Sequence, residues 1–131
     1  FFYLFFYVFI NFFFHFYIYN NMNLILHNKQ LPLEIMDTPN AITTGMMGRE
    51  YLTGGMLFLF NGISERSFWM KDCLISLDIV FIINNKVTKV HKDCPPCNNN
   101  KCKSYYGISN KVLELPSGRY SIRDGDYLEF I

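Results

Sequence analysis

The side chains in this sequence that could do chemistry fall into three groups. Asp78 and Glu114 sit in separate apolar, strand-like runs. Two carboxylates facing each other across a cleft are the pair a glycosidase uses, one as acid and the other as base or nucleophile. Arg49, Trp69, Lys71 and Asp78 make a second set: a planar bidentate donor, a stacking surface, a point-charge cation and an acid, which together suit an anionic or sugar-like ligand. The bland alternative is structural, with Arg49 or Lys71 pairing Asp78 to fix a helical turn on a sheet and Trp69 plugging the core. The third group is the loop "HKDCPPCNNNKC", where His91, Cys94, Cys97 and Cys102 place four zinc-compatible ligands close together.

Other catalytic patterns are missing. No serine elbow, phosphate-cradling glycine loop or dinucleotide fingerprint occurs. A thiol nucleophile would need Cys73 or Cys97 beside His91, and nothing in the local sequence activates it. The favoured reading is a non-catalytic ligand-binding or accessory module lined by Arg49, Trp69, Lys71 and Asp78. The alternative is a small hydrolase or transferase acting through Asp78 and Glu114, and a further one is a zinc-binding loop protein. No cofactor is expected outside that zinc alternative.

These residues must be positioned by a short chain. At 131 residues it holds one domain's worth of core. Twelve basic and eleven acidic side chains leave a net charge of +1 with no Lys/Arg cluster, so the phosphate-binding footprint of a nucleic-acid partner is absent. A monomer is the separate expectation for its assembly. Residues 1–21 stand apart in composition: "FFYLFFYVFINFFFHFYIYN" is uncharged, aromatic throughout and without flanking basic residues or a small-residue cleavage site. The expectation is that it is translated AT-rich upstream sequence with the true start at Met22, the alternative being a signal or membrane anchor. Location follows that choice, cytoplasmic in the first case and exported or membrane-attached in the second.

Residues 22–131 read as one β-rich domain. Apolar runs of strand length at 31–36, 54–60, 67–72, 77–92, 111–116 and 126–131 are bounded by Gly, Asn, Asp and Pro. Thr38 followed by Pro39 marks the start of one or two helical turns that end at Gly45. Asn84-Asn85 suits the tight turn of a hairpin within 77–92. Along 75–83, Leu77, Ile79 and Phe81 share one face while Asp78 and Val80 take the other. The stretch 93–107 reads as loop.

The motifs "TGMMGRE", "GGMLFLF", "FWMKDCLISLDIVFI" and "VLELPSG", in that order, resemble domain-of-unknown-function family 192, the Saro-0823-like superfamily, from about Pro32 to the last residue. The resemblance implies a small β-sandwich or barrel-like fold with one short helical segment, frequent export, and no established activity. The chain departs from the family pattern at Gly48, at Asp72-Cys73, at Ser76 and in a shortened segment between Gly118 and Gly125. For the cysteines, Pro95-Pro96 stiffens the Cys94-to-Cys97 stretch to about 9 Å, beyond disulfide reach. Cys97 with Cys102 is the better pair, and the resemblance favours it, because family members often carry cysteines near these places. Metal binding and free thiols remain the alternatives.

Overall fold

The computed structural model describes residues 21–131, so the question raised by residues 1–21 falls almost wholly outside the described residues. Among the described residues there is one seven-stranded sheet, in the order β5-β4-β6-β3-β2-β1-β7, and one short helix. The strands are β1 (Asn23–Leu26), β2 (Lys29–Met36), β3 (Gly55–Trp69), β4 (Leu77–Ile83), β5 (Lys86–Cys94), β6 (Ser104–Pro116) and β7 (Glu129–Phe130), and the helix α1 is Pro39–Thr44. The sheet curls into a half-barrel, in agreement with the mainly β, barrel-like expectation.

Local chemistry accounts for the turns and the helix. Thr38 caps α1 by accepting from the Ala41 N–H at 3.2 Å, and Gly45 ends the helix at φ 44°, where a Cβ would lie 3.3 Å from the Phe58 ring. The β4–β5 hairpin turns at Asn84, as anticipated, with φ 57°. A further hairpin, β1 to β2, turns at His27 and Asn28, which take φ 50° and 61°. Sequence reading missed β1, which is only four residues long.

The sheet is apolar on both faces. Met56, Phe58, Leu77, Ile79, Phe81 and Val112 point into a first core, joined by Met46, Leu52 and Met70 from the α1 region and the chain after β3. Leu57, Val80, Ile82, Leu113 and Leu115 point the other way into a second core closed by Leu24, Leu33, Ile122 and Leu128. Strand β4, between β5 and β6, is therefore an almost unbroken apolar run rather than an alternating one. Burying each of its large side chains contributes about 1.5–3 kcal/mol.

The two expected strands 54–60 and 67–72 are one strand, β3, bent in the middle. Leu59 lies opposite Lys111 and Ser64 opposite Ser109, so residues 60–63 of β3 face the single residue Asn110 of β6. Extra residues on one strand force a bend. Gly62 sits within them at φ 75°, and Asn110 is tied to the β4–β5 turn, accepting from Asn84 N–H at 2.8 Å and donating to Asn84 Oδ1 at 3.1 Å. Beyond the bend the β3/β6 ribbon folds back over the first core. Its Phe68 ring lies edge-on to Phe58 at 4.8 Å and to Phe81 at 6.0 Å. The first part of β6 replaces the end of the expected loop at 93–107.

Gly107 makes the fold-back close. A Cβ there would lie 2.2 Å from Phe81 Cγ. Gly107→Ala is expected to destabilise the protein by about 1–3 kcal/mol, the cost of overpacking a fitted core, read by urea denaturation.

Candidate functional site

The fold-back leaves a cavity of about 380 Å³ between α1, the returning half of β3 and the first face of the sheet. Its apolar wall includes Met46, Phe58, Phe60 and Phe68, its rim carries Trp69 and Lys71, and Glu114 also lines it. Trp69 is 52% exposed and so is a rim residue, not the core plug weighed from sequence. Lys71 Nζ donates to the Asn99 carbonyl at 3.1 Å and lies 3.6 Å from Asp72 Oδ1. Arg66 also reaches the wall, with its guanidinium 3.9 Å above the Phe60 ring.

Arg49 is not part of this arrangement. Its guanidinium forms a bidentate pair with Glu34 of β2, at 2.7 and 2.6 Å, which holds the Glu34 carboxyl below its ordinary value and the guanidinium above its own. The expected approach of Arg49 to Asp78 or to Trp69–Lys71 is thereby corrected. Both side chains are more than a third exposed, so the pair ties the segment after α1 to β2 with modest energy.

Asp78 and Glu114 cannot act as a pair. On neighbouring strands β4 and β6, Ile79 lies opposite Glu114 and Asp78 opposite Leu115. Directly opposed residues share a face, so Glu114 points into the first core and Asp78 into the second. Asp78 is buried and satisfied, accepting from the Asp93 N–H at 2.8 Å and lying 3.5 Å from the Ser117 hydroxyl. Ser117 in turn donates to Asp93 Oδ1. Neither Arg49 nor Lys71 is needed by this carboxylate, whose role is to tie the end of β5 to the turn after β6.

Glu114 is the opposite case. It is 4% exposed, and among the described residues its Oε2 finds no hydrogen-bond partner. Burial pushes its carboxyl up to about 8, which favours the neutral form at pH 7. The nearby Cys73 thiol is pushed up to about 11, first by burial and then by the charges of Glu114 and Asp72, which holds it in the thiol form at neutral pH. Sequence reading named Glu114 only as half of a carboxylate pair. The Met46, Phe58, Phe60 and Phe68 wall had no local signal, because it depends on the bend in β3.

The cysteine loop closes as Cys97 with Cys102, whose Cα atoms are 5.7 Å apart, while Cys73 and Cys94 are buried free thiols. The disulfide takes two of the four residues of the zinc alternative, and His91 turns its Nε2 to the Tyr106 carbonyl at 2.8 Å. The set His91, Cys94, Cys97 and Cys102 therefore does not assemble, and among the described residues no other group of three or more metal-ligating side chains does. The loop is instead stitched to the cavity rim: Cys97 N–H donates to the Met70 carbonyl at 3.1 Å, and Asp72 N–H to the Cys97 carbonyl at 2.8 Å.

Two measurements check this geometry. Because the folded protein holds the Glu114 proton up to about 8 against an ordinary 4.5, it binds more protons than the unfolded chain between those values. The Glu114 contribution is full below the lower value and is lost as pH rises through the upper one; Glu114→Gln should flatten that part of a stability–pH profile. Replacing Cys97 and Cys102 together by serine should lower stability by about 2 kcal/mol in non-reducing denaturation, as expected for so short a closed loop.

Among the described residues no helix is long and apolar enough to cross a membrane. Two solved structures are similar over most of the chain. One, from Sinorhizobium meliloti 1021 and described as a candidate transcription regulator, is 27% identical with a TM-score of 0.71, covering 84% of this chain and 92% of its own. The other, a protein of unknown function from Novosphingobium aromaticivorans, is 26% identical with a TM-score of 0.68, covering 83% of each. Comparison with curated proteins gave no match. The model of the family described as Uncharacterized ACR, DUF192, matches residues 23–130, and the chain belongs to that family.

Proposed function

We propose that the chain is a non-catalytic ligand-binding module, monomeric, whose site is the cavity under the β3/β6 fold-back. The observation that carries this reading is the unpartnered Glu114 Oε2 in the cavity wall. A buried polar atom without a partner costs about 1–3 kcal/mol, and a ligand group that bonds to it would relieve that cost. The site therefore suits a small molecule with an apolar body and a carbonyl or amide oxygen that accepts from the neutral Glu114 carboxyl. Lys71 and Trp69 flank the way in.

Catalysis has less support. Asp78 is on the other face of the sheet, and Cys73 is held as a thiol. The regulator description of the Sinorhizobium relative would bring in DNA, but a net charge of +1 with no basic cluster provides no phosphate footprint. The proposal accordingly keeps nucleic acid out.

Thermal-shift titration with butyramide, isovaleramide and cyclohexanone tests the site. At a hundred times its dissociation constant a binding fragment adds about 2.7 kcal/mol to stability. That gain is expected in the wild type and in Asp78→Asn, and should vanish in Glu114→Leu, whose resting stability should rise because an unsatisfied polar group is gone. Equal fragment binding by Glu114→Leu and wild type would remove Glu114 from the site and defeat the reading.

A further inference from the structure

Among the described residues, β3 beyond its bend has a neighbour on one side only. β6 pairs with Ser64–Trp69, whereas β2, on the other side of β3, ends opposite Phe58. The direction of the free backbone groups follows from the far side of the ribbon. The Tyr106 and Ile108 carbonyls point away from β3, because they accept from His91 Nε2 at 2.8 Å and Thr88 Oγ1 at 2.6 Å on β5. In an antiparallel ladder, a residue opposite an outward-pointing one is itself outward-pointing. The partners of Tyr106 and Ile108 are Ser67 and Glu65, and the alternation continues to Trp69. The N–H and C=O groups of Glu65, Ser67 and Trp69 are thus turned to the unpaired side.

That side is the cavity. The consecutive residues 65–69 all line it, which a strand does when it presents its edge, whereas a strand presenting a face contributes alternate residues. Exposed edges are usually blocked by proline or by a charge laid across them. Residues 60–69 contain no proline, and the Arg66 guanidinium is turned onto Phe60 and the Ser109 carbonyl.

We propose that the ligand of this cavity is an extended peptide segment that adds as a strand to the β3 edge, bonding to the backbone of Glu65, Ser67 and Trp69, and inserting one amide-bearing side chain toward Glu114. This rests on the reading of the cavity as a ligand site and names the class of ligand. Donors and acceptors repeated at strand spacing are matched by another extended backbone. A cavity of about 380 Å³ is at the small end of ligand pockets and accommodates one side chain of the peptide. Glutamine fits best: its methylenes meet Phe58 and Phe68 while its amide oxygen accepts from the Glu114 carboxyl. A charged side chain is excluded by the cost of burying it.

The test uses the whole chain and capped pentapeptides of threonine and valine with glutamine, leucine or glutamate at the centre, measured by calorimetry and residue-resolved hydrogen exchange. The glutamine peptide should bind most tightly and the glutamate peptide not at all. On binding, the amides of Glu65, Ser67 and Trp69 should become protected, while those of Ser64, Arg66 and Phe68 are slow already. Methylating peptide nitrogens one at a time should weaken binding about tenfold at alternate positions only, the equivalent of one net hydrogen bond. Ser67→Pro removes one outward N–H and spares the β6 ladder; it should lose about tenfold in affinity, with slow exchange at Arg66 and Phe68 showing that the ribbon is intact. Indifference to the methylated position would overturn the edge inference. So would protection of Glu65, Ser67 and Trp69 in a dimer of the free protein, which would make the occupant a second copy. If the small amide fragments bind through Glu114 and no pentapeptide does, the edge inference falls and the cavity reading stands. If neither binds, both fall.

Discussion

The bend in β3 is the constraint on which the rest of the molecule depends. Placing residues 60–63 opposite Asn110 alone leaves the two strands no straight path. The side chain of Asn110 is held by Asn84, so the bend is anchored to the β4–β5 turn and not merely permitted by Gly62. Everything on the first face follows from it. Phe68 is ten residues beyond Phe58 in sequence, about 33 Å along a straight strand, yet the two rings are 4.8 Å apart. Gly107 allows the returning ribbon to lie directly on Phe81, and the aliphatic, methionine and aromatic side chains beneath it form the first core.

The fold-back also explains why two acids on adjacent strands have such different fates. Asp78 faces the second core at its edge, where the Asp93 N–H donates to it and the Ser117 hydroxyl lies 3.5 Å away. Glu114 faces the first core in the middle of the sheet, where its neighbours are Met56 and Ile79. The ribbon above it lays the Phe68 ring over this core, and among the described residues no donor reaches Oε2. Its carboxyl escapes the larger cost of a buried charge by keeping its proton, at the smaller cost of an unpartnered oxygen.

The rim is held by connections that a sequence reader would assign to a different function. The cysteine loop closes on itself through Cys97 and Cys102, and its backbone bonds Met70 and Asp72. Lys71 reaches the Asn99 carbonyl of the same loop. The disulfide thus steadies the segment leaving β3, and with it Trp69 and Lys71. On the other side of the cavity, Met47 bridges to Cys73 and the Gly48 N–H donates to Asp72, so the segment after α1 is joined to the same stretch.

Features governed by near neighbours in the chain were legible from sequence. Thr38-Pro39 and Gly45 delimit α1, Asn84 turns the β4–β5 hairpin, and the period of two along β4 separates Asp78 from Leu77 and Ile79. The motifs from Thr44 to Ile82 and from Val112 to Gly118 point to the family because their order and spacing survive without knowledge of any contact. Whatever depends on strand register was hidden. Whether Asp78 and Glu114 face each other depends on which residue of β6 lies opposite Ile79, and a shift of one residue would reverse the answer. Arg49 found Glu34 because β2 runs parallel beside β3, a pairing no local pattern announces. The cavity, its neutral acid and the free edge of β3 arise only when the chain returns over itself at residues 60–63. Composition sets which residues can be buried, but the closing of a distant ribbon over them decides which are left without a partner.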